Sequence, residues 1–394
     1  MDTRQPIKRI LPVPSRSFFL FGPRGTGKST WLRAALPHAL RLDLLDASLF
    51  LELSAQPGRL QAMAGDRPAG SWIILDEVQK VPALLDEVHR LIEDRRWRFA
   101  LCGSSARKLK RGGANLLAGR ASTLTMEGFV SSELGSAFNL EHTLAWGALP
   151  LEHAEPDAAI DILAAYGATY LREELMAEGL IRKAPPFARF LEVAGNLNGQ
   201  MLNIASLSRD AAVSRSTVDT YLSIMIDTLL MHTLPPWRPG FKVREVAVPK
   251  LFWFDPGVAR AAAGLLRDKP DRPWLGFALE TVIFHELRVH NEAARKNRPI
   301  RYYRTPAGVE VDFVIETAAR RQTKGAEVTA IEVKLASKWD GAWNKPLEEL
   351  AQAKGIHASR LFGVYTGERP LKFGNVQVLP VEAFLKALHK GEVF

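Results

Sequence analysis

A glycine-rich loop between a short strand and a helix places the strongest constraint on how the front of this chain folds. Residues 17–36 read SFFLFGPRGTGKSTWLRAAL, in which an apolar run enters the pattern G-x-x-x-x-G-K-[ST] and a helical pattern follows. In such a loop the backbone N–H groups close around phosphates, the lysine reaches the terminal phosphates and the serine binds Mg²⁺. A glycine-rich turn before an ordinary helix is the alternative. The predicted ATP-binding residues are Gly22, Pro23, Arg24, Gly25, Thr26, Gly27, Lys28, Ser29 and Thr30.

An acidic pair ends the next strongly apolar strand. The stretch SWIILDEVQ, residues 71–79, delivers Asp76 and Glu77 at the carboxyl edge of a buried strand, where open parallel sheets bind ligands. We assign Asp76 to Mg²⁺ by way of water, and Glu77 to polarising the attacking water. An acidic pair that caps the following helix is the alternative. Agreement between this stretch and the glycine-rich loop favours the nucleotide site.

A further buried strand, RFALCGSS at residues 98–105, ends in hydroxyl side chains. We expect Ser104 or Ser105 to hold the attacking water or the γ-phosphate, with a plain turn as the alternative. Basic residues follow, and an arginine at a subunit edge can reach the γ-phosphate of a neighbouring subunit. A solvated basic loop is the interpretation favoured for most of the first cluster. These basic residues are Arg107, Lys108, Lys110, Arg111 and Arg120.

The order of these stretches resembles the bacterial and archaeal AAA+ ATPases that carry a C-terminal domain of unknown function, DUF4143. The segments ILDEVQ, CGSSARKL and LLAGR carry the resemblance, and WGALP at residues 146–150 is similar to the segment that closes the ATPase part of that family. The resemblance implies an ASCE-type parallel sheet and a ring, hexameric as in AAA+ proteins generally, with Arg120 as the arginine finger and Arg107 second. The implied Walker A, Walker B and sensor 1 residues are Lys28 and Ser29, Asp76 and Glu77, and Ser104 or Ser105.

The middle of the chain, from about residue 156 to residue 235, has a helical period with helix-turn-helix patterning. Residues 205–212, a turn at 213–214 and a helix from Ser216 carry that pattern. The second helix has two aspartates and no lysine or arginine, so a small helical packing module is favoured over a helix that reads a DNA groove. Basic residues follow in WRPGFKVREVAVPK, as either a phosphate-contacting wing or a solvated hairpin edge. They are Arg238, Lys242, Arg244 and Lys250.

A charged strand near the end of the chain, VTAIEVK at residues 328–334, puts Glu332 and Lys334 on one face, two residues apart. The predicted order around it is helix, three strands, helix and strand, with Asp312 on the preceding hairpin. Two carboxylates from adjacent strands suit a hard divalent cation, to which the Val333 carbonyl can add an oxygen, and the lysine suits orienting or deprotonating water. This set resembles the PD-(D/E)xK core of restriction endonucleases. The resemblance implies metal ligands at Asp312, Glu332 and Glu280, and a catalytic role for Lys334.

Two alternatives to the nuclease-like interpretation stay open. Glu332 and Lys334 could form a simple ion pair on an exposed strand face, which would contribute little to stability. The fold could also be kept without the activity. Val311 stands where the motif of that superfamily has proline, a position that varies within it.

Composition indicates the class of partner. The chain has 394 residues, of which 47% are hydrophobic and 24% charged, with a net charge of +9. The excess of positive charge suits a polyanion such as DNA or RNA, although many basic proteins bind neither. Cys102 is the single cysteine, which argues against a disulfide framework or a cysteine-based zinc site and favours the reducing cytoplasm. The apolar run near the start is too short for a signal peptide, and no segment approaches the roughly 18 apolar residues of a membrane span.

We therefore expect an α/β protein of three domains: an AAA+ P-loop ATPase domain over residues 1–155, a helical winged-helix-like domain over 156–245, and a restriction-endonuclease-like α/β domain over 246–394. The expected cofactors are ATP and Mg²⁺. The expected function is ATP-driven action on DNA, by binding, translocation or remodelling of branched or broken DNA, with metal-dependent cleavage left open. Two other classes are a regulatory or defence ATPase that binds nucleic acid without cutting, and a protein-remodelling AAA+ machine.

Overall fold

The computed structural model describes two compact units. Unit 1 comprises the described residues within 1–129, 149–154 and 223–230, and unit 2 comprises those within 130–148, 155–222 and 231–394. The division into three domains stays a prediction. The described residues are 7–104, 107, 109, 117–171, 176, 184–238, 248–318, 325–353 and 355–394. Six residues named above lie outside them: Ser105, Lys108, Lys110, Arg111, Lys242 and Arg244.

A five-stranded parallel sheet forms the centre of unit 1. Its strand order is β2-β3-β4-β1-β5, and every neighbouring pair is parallel. β4 therefore lies between β1, which enters the glycine-rich loop, and β3, which ends in the acidic pair. This confirms the predicted parallel sheet. The strands are β1 Phe18–Phe21, β2 Leu40–Asp43, β3 Trp72–Asp76, β4 Arg98–Gly103 and β5 Ser122–Thr125.

Apolar patterning explains the elements of unit 1. β1 reads FFLF and is buried along its whole length, as expected for a strand covered on both faces of a parallel sheet. The helix Leu84–Arg95 buries Leu84, Leu85, Val88 and Leu91, which recur at helical spacing on one face. The other α-helices described in this unit are Lys28–Ala35, Ala47–Ala55, Arg59–Ala64 and Pro150–Ala154.

Short helices and a small antiparallel sheet occupy the middle of the chain. The sheet has the order β6-β8-β7, with β6 Gln200–Met201, β7 Met231–Leu234 and β8 Lys250–Trp253. Helices Ile204–Asp210 and Arg215–Asp227 lie where helix-turn-helix patterning was predicted, while the winged-helix assignment stays a prediction. The remaining helices of this region are Ser131–Leu134, Leu140–Trp146, Ala159–Ala165 with a π-helical turn at Tyr166–Tyr170, Ala184–Asn196 and Pro256–Ala262.

A mixed sheet of six strands forms the rest of unit 2. Its order is β13-β14-β12-β11-β10-β9, antiparallel from β9 to β11 and parallel from β11 through β12 to β14. The last two strands and the final helix follow the predicted elements in the sequence and were not predicted. The strands are β9 Ile300–Arg304, β10 Glu310–Ala318, β11 Ala326–Lys334, β12 Ile356–Tyr365, β13 Leu371–Phe373 and β14 Val376–Pro380. The helices are Arg272–Ala293, Lys345–Ala351 and Val381–His389.

Asp255 joins two segments of unit 2 that lie far apart in the sequence. Its Oδ1 accepts a hydrogen bond from the Val258 N–H at 2.9 Å, which caps the helix Pro256–Ala262. Its Oδ2 accepts one from the Ala148 N–H, in WGALP, at 2.7 Å. A Cβ on Gly257 would lie 1.9 Å from the Trp146 carbonyl oxygen, so that only glycine fits there. This close approach explains the Asp-Pro-Gly sequence.

Candidate functional site

Backbone conformation and a hydrogen bond within the loop define the shape of the glycine-rich loop of unit 1. Gly27 has a φ of 83° and stands at the N-cap of the helix Lys28–Ala35, so the loop turns into the helix through a left-handed residue. The buried Thr26 donates its hydroxyl to the Pro23 carbonyl oxygen at 2.9 Å. Arg24 and Thr30 are exposed. The N-terminus of this helix therefore presents backbone N–H groups, the donors that bind phosphate.

Lys28 is buried and lies against the loop itself. Its Nζ donates to the carbonyl oxygens of Gly22 at 2.7 Å and Pro23 at 2.8 Å. The ammonium is thus held within the loop by neutral acceptors. Because phosphate oxygens are stronger, charged acceptors, phosphate can replace these carbonyls without leaving a buried ammonium unpaired.

The two predicted magnesium ligands are in direct contact. Ser29 Oγ donates a hydrogen bond to Asp76 Oδ2 at 2.7 Å, and Asp76 Oδ1 accepts the Glu77 N–H at 3.2 Å. Asp76 is buried, at 6% exposure. A hydroxyl and a carboxylate at the mouth of a phosphate loop are the hard oxygen donors that Mg²⁺ prefers, so the residues fit this metal.

Glu77 is held in an uncommon backbone conformation, with a φ of 56°. Non-glycine residues rarely adopt this region, and those that do cluster at functional sites. Glu77 follows directly after β3 and precedes the turn Val78–Lys80. Glu77 is therefore not used as a helix-capping residue, since no side-chain cap is formed at the turn Val78–Lys80 that follows it.

Gln79 is a site residue that the sequence reasoning missed. Its side chain is buried, and Nε2 donates to the Glu77 carboxylate and to Ser104 Oγ, the latter at 3.3 Å. The amide thereby links the predicted water-polarising group on β3 to the predicted sensor at the end of β4. The sequence feature that could have identified Gln79 is its amide side chain, two residues after Glu77 in DEVQ, because a turn that faces solvent does not need an amide at this position.

The two arginine candidates differ in their surroundings. Arg120 is half-exposed and pairs with Glu93, whose pKa is lowered by the hydrogen bond from this guanidinium. Arg107 is largely buried within unit 1, where it contacts Asp227 and donates to Ser223 Oγ at 3.0 Å. Arg107 is the more buried of the two, which leaves the more exposed Arg120 as the better candidate for contact with another subunit.

The carboxylates predicted for the C-terminal site do come together in unit 2. β10 and β11 pair with Phe313 opposite Ile331, and the continuation of that register brings Asp312 opposite Glu332. Asp312 Oδ2 accepts the Val333 N–H at 2.9 Å, so the amide of Val333 rather than its carbonyl faces this carboxylate. Lys334 pairs with Glu332 Oε1. The three predicted side chains thus share one face of the sheet.

The structure corrects the prediction for Lys250. We expected a phosphate-contacting wing or a solvated hairpin edge, but Lys250 is only 5% exposed and its ammonium lies among carboxylates. Burying the four-carbon stem in β8 removes water from the charge, so that charge needs paired acceptors nearby. Its Nζ lies 2.7 Å from Glu310 Oε1, 3.1 Å from Glu280 Oε2 and 3.3 Å from Asp312 Oδ1.

Burial and crowding shift the pKa values in this cluster. Burial raises the pKa of Glu280 and of Glu332, and the nearby Asp312 charge raises both further. Burial lowers the pKa of Lys334, but the neighbouring Asp312 and Glu332 carboxylates more than offset this, so the net direction is upward. Lys334 therefore retains its proton, which suits orienting a water rather than deprotonating it. Within the described part of the chain, no group of three or more His, Cys, Asp and Glu side chains is arranged to hold a metal ion.

Three family matches follow one another along the chain. Residues 14–135 match the AAA domain family AAA_14, residues 138–269 match a domain of unknown function, DUF8612, and residues 275–384 match a domain of unknown function, DUF4143. These matches confirm the predicted AAA domain and DUF4143 segment. The DUF8612 segment was not predicted. No curated protein matches the sequence.

Several solved structures show a slight likeness. The ORC1 protein of Aeropyrum pernix, solved in complex with DNA, is 14% identical with a TM-score of 0.26, covering 63% of this chain and 86% of its own. The ORC2 protein of the same organism, in its ADP form, is 12% identical with a TM-score of 0.29, covering 68% and 88%. A Vibrio cholerae protein, VC1899, is 13% identical with a TM-score of 0.22, covering 90% and 97%. Such low TM-scores do not define a shared binding surface.

None of the helices described here has the length and apolar character needed to cross a membrane.

Proposed function

We propose that unit 1 binds and hydrolyses ATP. The observation that carries this proposal is the 2.7 Å contact between Ser29 Oγ and Asp76 Oδ2, because it joins the glycine-rich loop to the acidic strand end at one point. Lys28 binds the phosphates in place of the loop carbonyls, and Glu77 polarises the attacking water. Ser29, and Asp76 by way of water, would hold Mg²⁺, which would supply charge neutralisation at the phosphates.

We further propose that hydrolysis drives action on DNA, by binding, translocation or remodelling of branched or broken molecules. The net charge of +9 supports this partner class through its attraction to phosphates. Phosphate release should be measured without polymer and with linear, single-stranded and branched DNA and with RNA. Turnover that rises with DNA supports the proposal. DNA binding that leaves turnover unchanged supports a regulatory or defence ATPase instead, and no response to any nucleic acid supports a protein-remodelling machine.

We also propose that the active form is a ring, hexameric as in AAA+ proteins generally, in which Arg120 reaches the nucleotide of the next subunit. Its half-exposed position beside Glu93 supports this role, since a surface ion pair costs little to exchange for a phosphate. Sedimentation of the protein with and without ATP tests the assembly.

Metal-dependent DNA cleavage by unit 2 is a second candidate function. The observation that favours it is Glu332 Oε2, which is buried and has no hydrogen-bond partner within the described residues, beside Asp312 and Lys334. A buried carboxylate oxygen of this kind is a ready ligand for a hard cation. Asp312 and Glu332 would hold Mg²⁺, and Lys334 would orient water. Glu280 would become a further ligand only after a rearrangement, because among the described residues no three such side chains are arranged to hold a metal ion.

Asp312→Ala and Lys334→Ala test this candidate. Both should abolish Mg²⁺-dependent nicking of supercoiled DNA while ATP turnover without DNA stays at the wild-type rate, since the two sites are built from different residues. Lys338→Ala, at an exposed lysine on the same domain, is the matched control and should cut normally. A wild-type protein that leaves every DNA substrate intact with Mg²⁺ and Mn²⁺ would contradict cleavage.

A further inference from the structure

The carboxylate cluster of unit 2 is built around a lysine that comes from another sheet. Lys250 begins β8, which pairs with β7 and β6, whereas the carboxylates lie on β10, β11 and the helix Arg272–Ala293. Lys250 also falls in the segment that matches DUF8612, outside the DUF4143 match that contains Glu280, Asp312 and Glu332. The cation and its acceptors therefore belong to separately recognisable parts of the chain.

The two carboxylate oxygens of Asp312 have different partners. Oδ2 accepts the backbone N–H of Val333 at 2.9 Å, so it is held by the adjacent strand. Oδ1 is the oxygen that remains for a cation, and Lys250 Nζ lies 3.3 Å from it. The lysine ammonium thus occupies the lone pairs through which Asp312 would bind a metal ion.

The ammonium and carboxylate groups of the cluster lie at unequal distances from one another. Four carboxylates, of Glu280, Glu310, Asp312 and Glu332, face the ammonium groups of Lys250 and Lys334, and Arg304 approaches Glu310 at 3.6 Å from the exposed side. Of the Lys250 contacts, the one to Asp312 is the longest, so it is the contact given up most readily while Glu310 and Glu280 retain the ammonium.

We propose that Lys250 is a tethered competitor of divalent metal ions: it holds Asp312 Oδ1 and Glu280 in the metal-free state, and a metal binds only when the ammonium withdraws from Asp312. The inference rests on the proposed metal site of unit 2. A ligated divalent ion needs carboxylate oxygens at about 2.0–2.6 Å, and an ammonium on the same oxygen blocks that approach both by contact and by charge repulsion. Metal affinity is therefore set by how firmly Lys250 is held.

The test measures Mn²⁺ binding to the full-length protein without nucleotide. The concentration of free Mn²⁺ is determined by electron paramagnetic resonance. Lys250→Met keeps the length of the stem and removes the charge. It should create a Mn²⁺ site at least about tenfold tighter than any in the wild type, a change equivalent to 1.4 kcal/mol of binding free energy. Adding Asp312→Asn to Lys250→Met should remove that site. Lys250→Arg keeps the cation and should bind Mn²⁺ as weakly as the wild type does.

Each result decides between the two proposals. Equal, Asp312-dependent binding by the wild type and Lys250→Met overturns competition by Lys250 but leaves the metal site standing. No Asp312-dependent binding by either protein overturns both. Tight binding by Lys250→Arg overturns the role of charge. If Lys250→Met does not fold, Lys250→Gln replaces it, and thermal unfolding with and without Mn²⁺ serves as the second readout. If Mn²⁺ stabilises the variant more than it stabilises the wild type, competition by Lys250 is supported. If it does not, competition is overturned.

Discussion

Ser29 Oγ and Asp76 Oδ2 lie 2.7 Å apart, although 47 positions separate them in the chain. The contact brings the end of β3 against the first turn of the helix that follows β1. Beside it in the sequence are Lys28, held by loop carbonyls, and Glu77, which has a left-handed backbone conformation. The proposed function assigns phosphate binding and water activation to different side chains, so changes to them should have different effects.

Lys28→Ala and Glu77→Gln should fail in different ways. Loss of the Lys28 ammonium removes a phosphate contact, so ATP binding or turnover should fall severely. Glu77→Gln keeps the size of the side chain and removes the charge that polarises water, so ATP should bind but be hydrolysed slowly, by at least about a hundredfold. Equilibrium binding of a fluorescent ATP analogue and phosphate release measure the two effects. Normal turnover in Glu77→Gln would remove Glu77 from the catalytic role.

Gln79→Met should lower kcat and leave ATP affinity nearly unchanged. The amide positions Glu77 and Ser104, and methionine fills the same buried volume without the hydrogen bonds. We expect a loss of about tenfold or more in kcat, with KM within about threefold of the wild type. Ser104→Ala should give a similar loss, and the double variant should be less severe than the product of the two, because both break one link. Losses in kcat that are additive in the double variant would show that Gln79 is only a packing residue. A Gln79→Met variant that changes thermal stability but not kcat would show the same.

Arg120→Ala should reduce ATP hydrolysis while ATP affinity stays close to that of the wild type. The side chain pairs with Glu93 and is partly exposed, and its proposed action is on a neighbouring subunit. Mixing Arg120→Ala with Lys28→Ala protein should restore part of the activity, since some mixed interfaces then contain one intact loop and one intact arginine. Absence of rescue at every mixing ratio would argue against a shared site.

Gly257→Ala should destabilise unit 2 by about 2–3 kcal/mol, because the new Cβ would lie 1.9 Å from the Trp146 carbonyl oxygen. Gly276→Ala is the matched control: it lies inside the helix Arg272–Ala293, and a Cβ there meets no atom within 4 Å. That control should stabilise the helix by about 0.5–1 kcal/mol. Urea unfolding followed by circular dichroism measures both. A neutral Gly257→Ala would mean that the two segments separate easily.

His290 should make unit 2 less stable in mild acid. Burial lowers the pKa of His290 to about 4, helped by the nearby Lys296 and His389 charges and opposed by Glu286. The folded state therefore prefers neutral His290. Its contribution to stability is complete above the unfolded pKa of about 6.5 and is lost as the pH falls from there toward 4. The expected loss is on the order of 1–3 kcal/mol at pH 4.

His290→Leu isolates the effect of His290 and leaves in place the neighbouring contact between His389 Nε2 and Glu286 Oε2 at 2.6 Å. The variant keeps an apolar group against Phe394 and has no proton to bind. The difference in unfolding free energy between wild type and variant should therefore change between pH 7 and pH 4. A difference that is constant with pH would contradict the buried neutral histidine.

The sequence anticipated the nucleotide loop more fully than the C-terminal cluster. The loop residues Gly22 through Ser29 are consecutive in the sequence. The strand before them and the helix after them have clear apolar patterns, so these local elements could be predicted directly. Gln79 was missed because its role appears only when β4 is inserted between β1 and β3 and brings Ser104 next to it. β13, β14 and the last helix were missed because their apolar runs are short, and β13 is exposed along its length.

What the amino-acid order determined by itself is local: a glycine loop between a buried strand and a helix, an acidic pair at a strand end, and a Glu–Lys pair on one strand face. These follow from backbone conformation and from side-chain alternation over a few residues. Only the tertiary structure decided which cation meets Asp312. Lys250 lies 62 positions away, on a strand of a different sheet. Since an ammonium is buried only where folding supplies enough carboxylates to offset its lost hydration, its position depended on the packing of the whole unit.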